Sequence, residues 1–144
     1  MSALSLEPAD WLPHRPPFLL LDQMVAIEPG LRASATWTLR GDEWFFPGHF
    51  PGRPITPGVL LLESIAQCGA VAVLADPAYA GRLPLFGGVQ SARFRRQVVP
   101  GDVVLLECEM THLSARGGKG KGRAIVADKV AVEAELLFFL ADAP

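Results

Sequence analysis

The sequence predicts an α+β domain, in which one apolar helix lies against an antiparallel sheet. A single long apolar stretch, residues 57–75, has its apolar side chains at helical spacing. Shorter segments with alternating or continuous apolar residues stand on both sides of it and are separated by turn signals. Two of these precede the helix and three or four follow it. That order lacks the regular strand–helix alternation of a parallel sheet and favours one helix on an antiparallel sheet.

The segments before the helix predict two strands. Residues 5–17 contain four prolines and predict a short turn or helix. Residues 18–27 begin with a continuous apolar run and predict the first strand. Residues 31–39 alternate apolar and polar side chains, which is typical of a half-buried strand, and a Pro-Gly turn at 29–30 separates the two.

A rigid loop at residues 41–56 leads into the helix. Four prolines and three glycines between Pro47 and Gly58 are incompatible with a regular helix or a central strand. Thr56 is the predicted N-cap of the helix, and Pro57 suits the first helical position because the missing N–H is not needed there. The helix is apolar on nearly all sides, which predicts that it is buried.

Beyond the helix the pattern returns to strands. Gly87 and Gly88 interrupt the first of these strands and predict a bulge. The glycine-rich residues 116–122 predict a flexible hairpin tip. The strands are expected at residues 83–94, 103–113, 123–129 and 130–140. Because there is neither an internal repeat nor a dividing linker, residues 1–144 are expected to form a single domain.

Composition narrows the classes of function. The net charge of −2 does not suggest general affinity for nucleic acid. Cys68 and Cys108 have no metal-binding spacing and are expected to be reduced, buried thiols. No apolar run reaches membrane-spanning length and residues 1–11 lack a signal-peptide pattern, so we expect no membrane insertion and a cytoplasmic location. Half of the residues are hydrophobic, which indicates apolar surface buried between subunits or around a pocket.

Two polar residues in this apolar region are the candidates for chemistry. His49 lies between proline-glycine corners, which hold it still as proton transfer requires. Glu63 lies in the second turn of the buried helix, where a carboxylate is costly unless it is paired or used. Gln67 follows one turn later and can orient Glu63. The N–H groups of Gly58 and Val59 at the helix start can receive an oxyanion. The alternatives are a structural histidine, a buried ion pair and a solvent-facing glutamine.

Several other sequence patterns are candidates for functional sites, and most of them do not match a known motif. His14 and His112 have no partner at metal-ligand spacing, so no metal site is expected. The Gly-Lys repeat at 117–122 lacks the Ser or Thr and the strand-to-helix context of a phosphate loop. The absence of a GxSxG motif excludes an α/β-hydrolase. Two basic groups are either ordinary solvated charge or a landing patch for an acidic partner, namely Arg93, Arg95 and Arg96, and Lys119, Lys121 and Arg123.

Three blocks carry a resemblance to a known family. Residues 48–67 (GHFPGRPITPGVLLLESIAQ) resemble the active-site signature of the bacterial 3-hydroxyacyl-[acyl-carrier-protein] dehydratases, which have the hotdog fold. Residues 12–15 (LPHR) with 17–22 (PFLLLD) resemble the N-terminal signature of this family. Residues 92–96 (ARFRR) with 99–102 (VPGD) resemble its third signature. The blocks occur in the family's order, and the resemblance extends over about residues 10–140.

The resemblance implies a reaction and a role for each candidate. A sheet wrapped around the helix would form a hotdog domain that dehydrates (3R)-3-hydroxyacyl thioesters to trans-2-enoyl thioesters. His49 would remove the C2 proton, the carbonyl of Ile55 would fix its tautomer, and the N–H of Gly58 or Val59 would stabilise the enolate oxygen. Glu63, kept protonated by apolar surroundings, would give its proton to the leaving hydroxyl.

The resemblance also implies partners. The substrate would be carried on the phosphopantetheine of acyl carrier protein, with Arg93, Arg95 and Arg96 as its contact, and no metal or redox cofactor would be needed. A homodimer would be the catalytic unit, because His49 and Glu63 of one site would come from different subunits. Such dimers would assemble into a hexamer, a trimer of dimers.

Some alternatives stay open at this point. At position 63 the chain has Glu rather than Asp. In this respect it resembles the branch of the family that does not also isomerise the double bond. Pro16 and Thr56 depart from the family pattern, and a Thr56 hydroxyl that capped the helix would compete with the oxyanion; we expect it to turn away. Another hotdog enzyme, either an enoyl-CoA hydratase or a thioesterase, or a non-catalytic acyl-binding subunit is the alternative function. The sequence does not determine the preferred length of the acyl chain of the substrate. It also leaves open whether the reaction serves fatty acid or polyketide synthesis.

Overall fold

A computed structural model describes residues 3–143 and has one helix and a six-stranded antiparallel sheet. The strand order across the sheet is β1-β2-β4-β5-β6-β3, and every neighbouring pair is antiparallel. This confirms the predicted α+β class. The elements are β1 (Gln23–Glu28), β2 (Arg32–Thr38), α1 (Gly58–Leu74), β3 (Leu83–Phe94), β4 (Val103–Ser114), β5 (Gly117–Val126) and β6 (Lys129–Ala141), with short 3-10 helices at Pro8–Asp10 and Phe46–Gly48.

The core lies between α1 and the sheet. In β2 the inner residues Ala33, Ala35 and Trp37 are buried and alternate with half-buried polar residues, as the period-two pattern predicted. Ile65 and Val71 of the helix are fully buried against this layer. Because the helix is buried on most sides, its sequence has no extended polar face opposite the apolar one.

The start of the helix differs by one residue from the prediction. Pro57 is the N-cap, with an extended ψ of 130°, and Gly58 is the first helical residue. Thr56 is therefore not the N-cap, and its buried hydroxyl makes no hydrogen bond with any residue from 3 to 143. The prediction failed because both Thr56 and Pro57 suit a helix start, and the pattern of residue types does not show where ψ changes.

The first strand is shorter than predicted. It begins at Gln23, and residues 18–21 instead cross the helix as an irregular segment. Buried polar side chains of α1 bind the backbone of this segment: Ser64 Oγ donates to Leu20 O at 2.8 Å, and Gln67 Oε1 accepts from Leu20 N at 2.9 Å. These bonds satisfy backbone groups that a sheet would otherwise satisfy, so the apolar run is buried without forming a strand.

The predicted hairpin tip at residues 116–122 is wrong, because β5 already begins at Gly117. Lys119 and Lys121 point outward, while Gly120 and Gly122 are buried. A Cβ at Gly120 would lie 3.1 Å from the Met110 methyl group, and a Cβ at Gly122 would overlap Ile65 of the helix. Gly120 therefore leaves room for a side chain of the neighbouring β4, and Gly122 permits close approach of β5 to the helix. The sequence pattern does not distinguish these roles from flexibility.

The register of β3 against β6 shifts between Phe86 and Gly88, which confirms the predicted bulge. Among residues 3–143, no helix is both long enough and apolar enough to cross a membrane.

Candidate active site

The loop that carries His49 is closed by backbone hydrogen bonds at two levels. Phe50 and Arg53 exchange two N–H···O bonds of 2.9 Å, and Ile55 N donates to His49 O at 2.9 Å. Thr56 N donates to Val98 O at 2.8 Å, which joins the end of the loop to the segment before β4. A closed loop of this kind holds the His49 ring in one place.

The ring of His49 has a defined tautomer. Its Nδ1 lies 2.7 Å from the carbonyl oxygen of Ile55. Because a carbonyl oxygen only accepts, Nδ1 carries the hydrogen of the neutral ring, and Nε2 has the lone pair. The ring stacks on Phe50 with centroids 4.0 Å apart. The lone pair of Nε2 is therefore available to accept a proton.

The helix start offers two N–H groups. Gly58 and Val59 are the first residues of α1, whose first N–H groups have no partner within the helix. No side-chain cap bonds them, since the Thr56 hydroxyl is unpartnered within residues 3–143. The Phe94 ring lies so near Gly58 that an added Cβ would be 2.7 Å from it. The first turn of the helix thus keeps donors available beside an aromatic ring.

Glu63 is held by a network that begins in α1 and reaches the N-terminal segment. Gln67, 1% exposed, donates from Nε2 to Glu63 Oε2 at 2.7 Å and to Phe18 O at 2.9 Å. Its Oε1 accepts from Leu20 N. Gln67 is thus a buried residue that orients Glu63, and the alternative of a solvent-facing glutamine is wrong.

His14 is the residue that sequence reasoning missed. Its Nε2 lies 3.5 Å from Glu63 Oε2, and its buried Nδ1 has no hydrogen-bond partner among residues 3–143. Its position before β1 gives no spacing rule that would link it to the helix. The only available signal was the LPHR block itself, which the resemblance identified without assigning a role.

A cavity of about 290 Å³ lies along the same face of the helix. Glu63 and His14 line one part of it, and the remaining wall is almost entirely apolar. The helix contributes residues three or four apart, and β3, β4 and β6 contribute the facing wall: Ala66, Gly69, Ala70, Val73, Leu85, Phe86, Cys108, Met110, Leu136, Leu137 and Phe138. A carboxyl group at an apolar cavity that follows a helix suits a substrate with a polar head and a hydrocarbon chain.

His49 does not line this cavity, although Glu63 does. The structure therefore brings Glu63, Gln67 and His14 together at this cavity, while His49 contacts the carbonyl of Ile55. Among residues 3–143, no cluster of three or more His, Cys, Asp or Glu side chains forms a metal site.

The predicted arginine patch is divided by an acidic residue. Arg95 Nη2 is 2.7 Å from Glu133 Oε1, and Arg93 lies opposite Glu133 in the register of β3 with β6. The hydrogen bond from Arg95 lowers the pKa of the Glu133 carboxyl, and the charges of Arg95, Arg93 and Arg123 act in the same direction. Neither Arg93 nor Arg96 has an ion-pair partner within residues 3–143, so these two arginines of the patch remain available.

The two cysteines are buried free thiols, as predicted. Burial raises the pKa of the Cys108 thiol to about 12 and raises that of Cys68 well above its ordinary value. Cys68 Sγ donates to Ala33 O at 3.3 Å. Both thiols are therefore poor nucleophiles at neutral pH.

Comparison with known proteins identifies relatives of the whole domain. The chain is 57% identical over 127 residues to the 3-hydroxyacyl-[acyl-carrier-protein] dehydratase FabZ of Moorella thermoacetica, covering 88% of this chain and 89% of that protein. It is 53% identical over 131 residues to the protein of the same name from Chloroflexus aggregans, covering 91% of each.

Solved structures agree on the fold. The dehydratase heterocomplex ApeI:P of Xenorhabdus doucetiae matches with a TM-score of 0.81 at 19% identity, covering 96% of this chain and 93% of that one. The uncharacterized protein PH1136 of Pyrococcus horikoshii matches with a TM-score of 0.66 at 14% identity, covering 97% and 95%. With its antiparallel sheet around one central helix, the domain has the hotdog fold. The sequence model of the FabA-like domain matches residues 12–135, and the chain belongs to this family.

Proposed function

We propose that this protein removes water from (3R)-3-hydroxyacyl thioesters on acyl carrier protein and gives the trans-2-enoyl thioesters of fatty acid synthesis. Two relatives that carry this activity in their names are more than 50% identical over most of both chains. The observation that carries the proposal is the Glu63 carboxyl at the apolar cavity. Gln67 bonds one of its oxygens, while Oε1 has no hydrogen-bond partner within residues 3–143 and is available for a proton.

In the proposed mechanism, His49 and Glu63 act on adjacent carbons. Nε2 of His49 removes the proton from C2, and the N–H of Gly58, with Val59 beside it, stabilises the negative charge on the thioester oxygen. Glu63 gives its proton to the 3-hydroxyl, the C3–O bond breaks and water leaves as the C2–C3 double bond forms. The proton on His49 then returns to Glu63 through water, so each turnover ends with the starting protonation.

The proposed catalytic unit is a homodimer, assembled further into a trimer of dimers. His49 does not line the cavity that Glu63 lines, and we infer that a site using both is completed by a second copy. The free edge of β3 supports this, because its apolar side chains are about half exposed: Leu85 at 48%, Phe86 at 47%, Val89 at 49% and Phe94 at 53%. Pairing of two such edges would cover this surface and continue the sheet.

The proposed partner is acyl carrier protein in the cytoplasm. Arg96, with Arg93 and Arg95 beside it, supplies positive charge for an acidic carrier and for the phosphate of its phosphopantetheine. Elimination of water leaves the oxidation state of the substrate unchanged overall, and both proton transfers are assigned to side chains. The proposed reaction therefore calls for neither a redox cofactor nor a metal.

The test is a hydration assay with trans-2-butenoyl thioesters of acyl carrier protein and of coenzyme A. We expect absorbance of the conjugated thioester to fall without release of free thiol, and faster with the carrier-bound substrate. Thiol release without hydration would identify a thioesterase, and preference for coenzyme A would identify an enoyl-CoA hydratase. Binding without turnover would leave a non-catalytic acyl-binding subunit.

A further inference from the structure

The orientation of the Gln67 amide determines how it acts on Glu63. Its Oε1 accepts the N–H of Leu20 at 2.9 Å, so the other amide atom is the nitrogen. The two hydrogens of that nitrogen go to Phe18 O and to Glu63 Oε2. Gln67 is therefore a fixed donor to Oε2 and does not accept a hydrogen bond from Glu63.

The His14 ring lies near the same oxygen. Nε2 lies 3.5 Å from Oε2, whereas Nδ1 is buried with no partner among residues 3–143. Of the two tautomers of the neutral ring, the one with its hydrogen on Nδ1 would bury an N–H without an acceptor, which is costly. The tautomer with its hydrogen on Nε2 places the N–H on the nitrogen that lies 3.5 Å from Oε2.

The backbone around His14 is fixed without using the ring. Arg15 Nη1 donates to both Leu12 O and His14 O at 2.7 Å. The Leu12 side chain is buried in the core at 2% exposure. These contacts fix the backbone at His14 without using the imidazole nitrogens, so the ring nitrogens remain available to interact with Glu63.

We propose that His14 is a positioning residue, which donates its Nε2–H to Glu63 Oε2 as that carboxyl gives its proton to the leaving hydroxyl. The inference rests on the proposed function of Glu63. A separation of 3.5 Å is long for a hydrogen bond in the resting site, but such bonds shorten as charge develops in the reacting complex. With Gln67 and His14 both directed to Oε2, the acidic proton belongs on Oε1.

The role is tested with three variants that separate the donor from the shape of the ring. His14→Gln places an amide N–H near the position of Nε2, His14→Asn places it nearer Nδ1, and His14→Phe keeps a ring without any donor. We expect kcat for dehydration to fall about tenfold to a hundredfold in the Phe and Asn variants, with KM within about threefold. The Gln variant should keep kcat within about threefold of the parent.

His112→Phe is the matched control, because His112 is exposed on β4 and does not line the cavity. It should match the parent. Equal losses of kcat in all three His14 variants would overturn the donor role, and so would a Phe variant within twofold of the parent. A parent that fails the hydration assay would overturn the proposed function, and this inference with it. An active parent with unaffected His14 variants would overturn the inference alone.

Discussion

Replacing Gln67 by leucine tests whether one amide holds the N-terminal segment against the helix. The side chain is 1% exposed, and its hydrogen bonds join Leu20 N, Phe18 O and Glu63 Oε2. Leucine has a similar volume, so the substitution removes the polar partners and leaves little cavity.

The magnitude follows from which groups lose their partner. Leu20 N–H belongs to a residue that is 3% exposed, and a buried donor without an acceptor costs about 1–3 kcal/mol. Phe18 is 43% exposed, so water can replace the amide at its carbonyl and the added cost is small. The apolar gain from leucine offsets part of the loss. We expect the free energy of unfolding to fall by about 2 kcal/mol.

Urea denaturation of parent and variant at the same protomer concentration measures this change, because the apparent stability of an oligomer depends on that concentration. Gln97→Leu is the matched control, since Gln97 is exposed in a loop and the same substitution there should change stability by less than about 0.5 kcal/mol. If Gln67→Leu is as stable as Gln97→Leu, the amide does not hold the segment and the argument from buried polar groups is refuted.

Three other predictions concern the reaction. His49→Ala should lower kcat by about 10² to 10⁴ with an unchanged circular dichroism spectrum, since loop prolines set the backbone; a loss below threefold would place the base elsewhere. Glu63→Gln should bind substrate with little change in KM and dehydrate poorly, while C2 proton exchange with solvent continues; loss of exchange together with dehydration would favour a concerted elimination. Arg96→Glu should raise KM for carrier-bound substrate, less so in high salt, and leave coenzyme A substrates unchanged; equal loss on both would indicate a folding defect.

The sequence was sufficient where structure depends on local pattern. Alternation in residues 31–39 predicted β2 to within one residue at each end, and the paired glycines predicted the irregularity of β3. The prolines and glycines around His49 predicted a rigid loop, because these residues restrict the backbone wherever they occur. The Ile55 carbonyl, predicted as the partner of His49, lies 2.7 Å from its Nδ1.

The features that sequence did not reveal depend on contacts between distant segments. The residue types at positions 119–122 fit a flexible hairpin tip as well as a strand. In the structure they form a strand, and the missing side chains of its glycines leave room for Ile65 and Met110. The apolar residues 18–21 have the composition of a strand, but buried groups of the helix bind their backbone instead. His14 meets Glu63 only because that same segment crosses α1, so its role was invisible until the crossing was known.

The environment of Glu63 ties its carboxyl to the N-terminal segment. Oε2 accepts from the Gln67 amide, whose other hydrogen bonds join Phe18 O and Leu20 N, and His14 Nε2 lies 3.5 Å from the same oxygen. Oε1 has no hydrogen-bond partner within residues 3–143, and the carboxyl lines the apolar cavity. In the proposed reaction Oε1 therefore carries the proton that goes to the leaving hydroxyl. The segment that crosses α1 would then position the acid without occupying the oxygen that reacts.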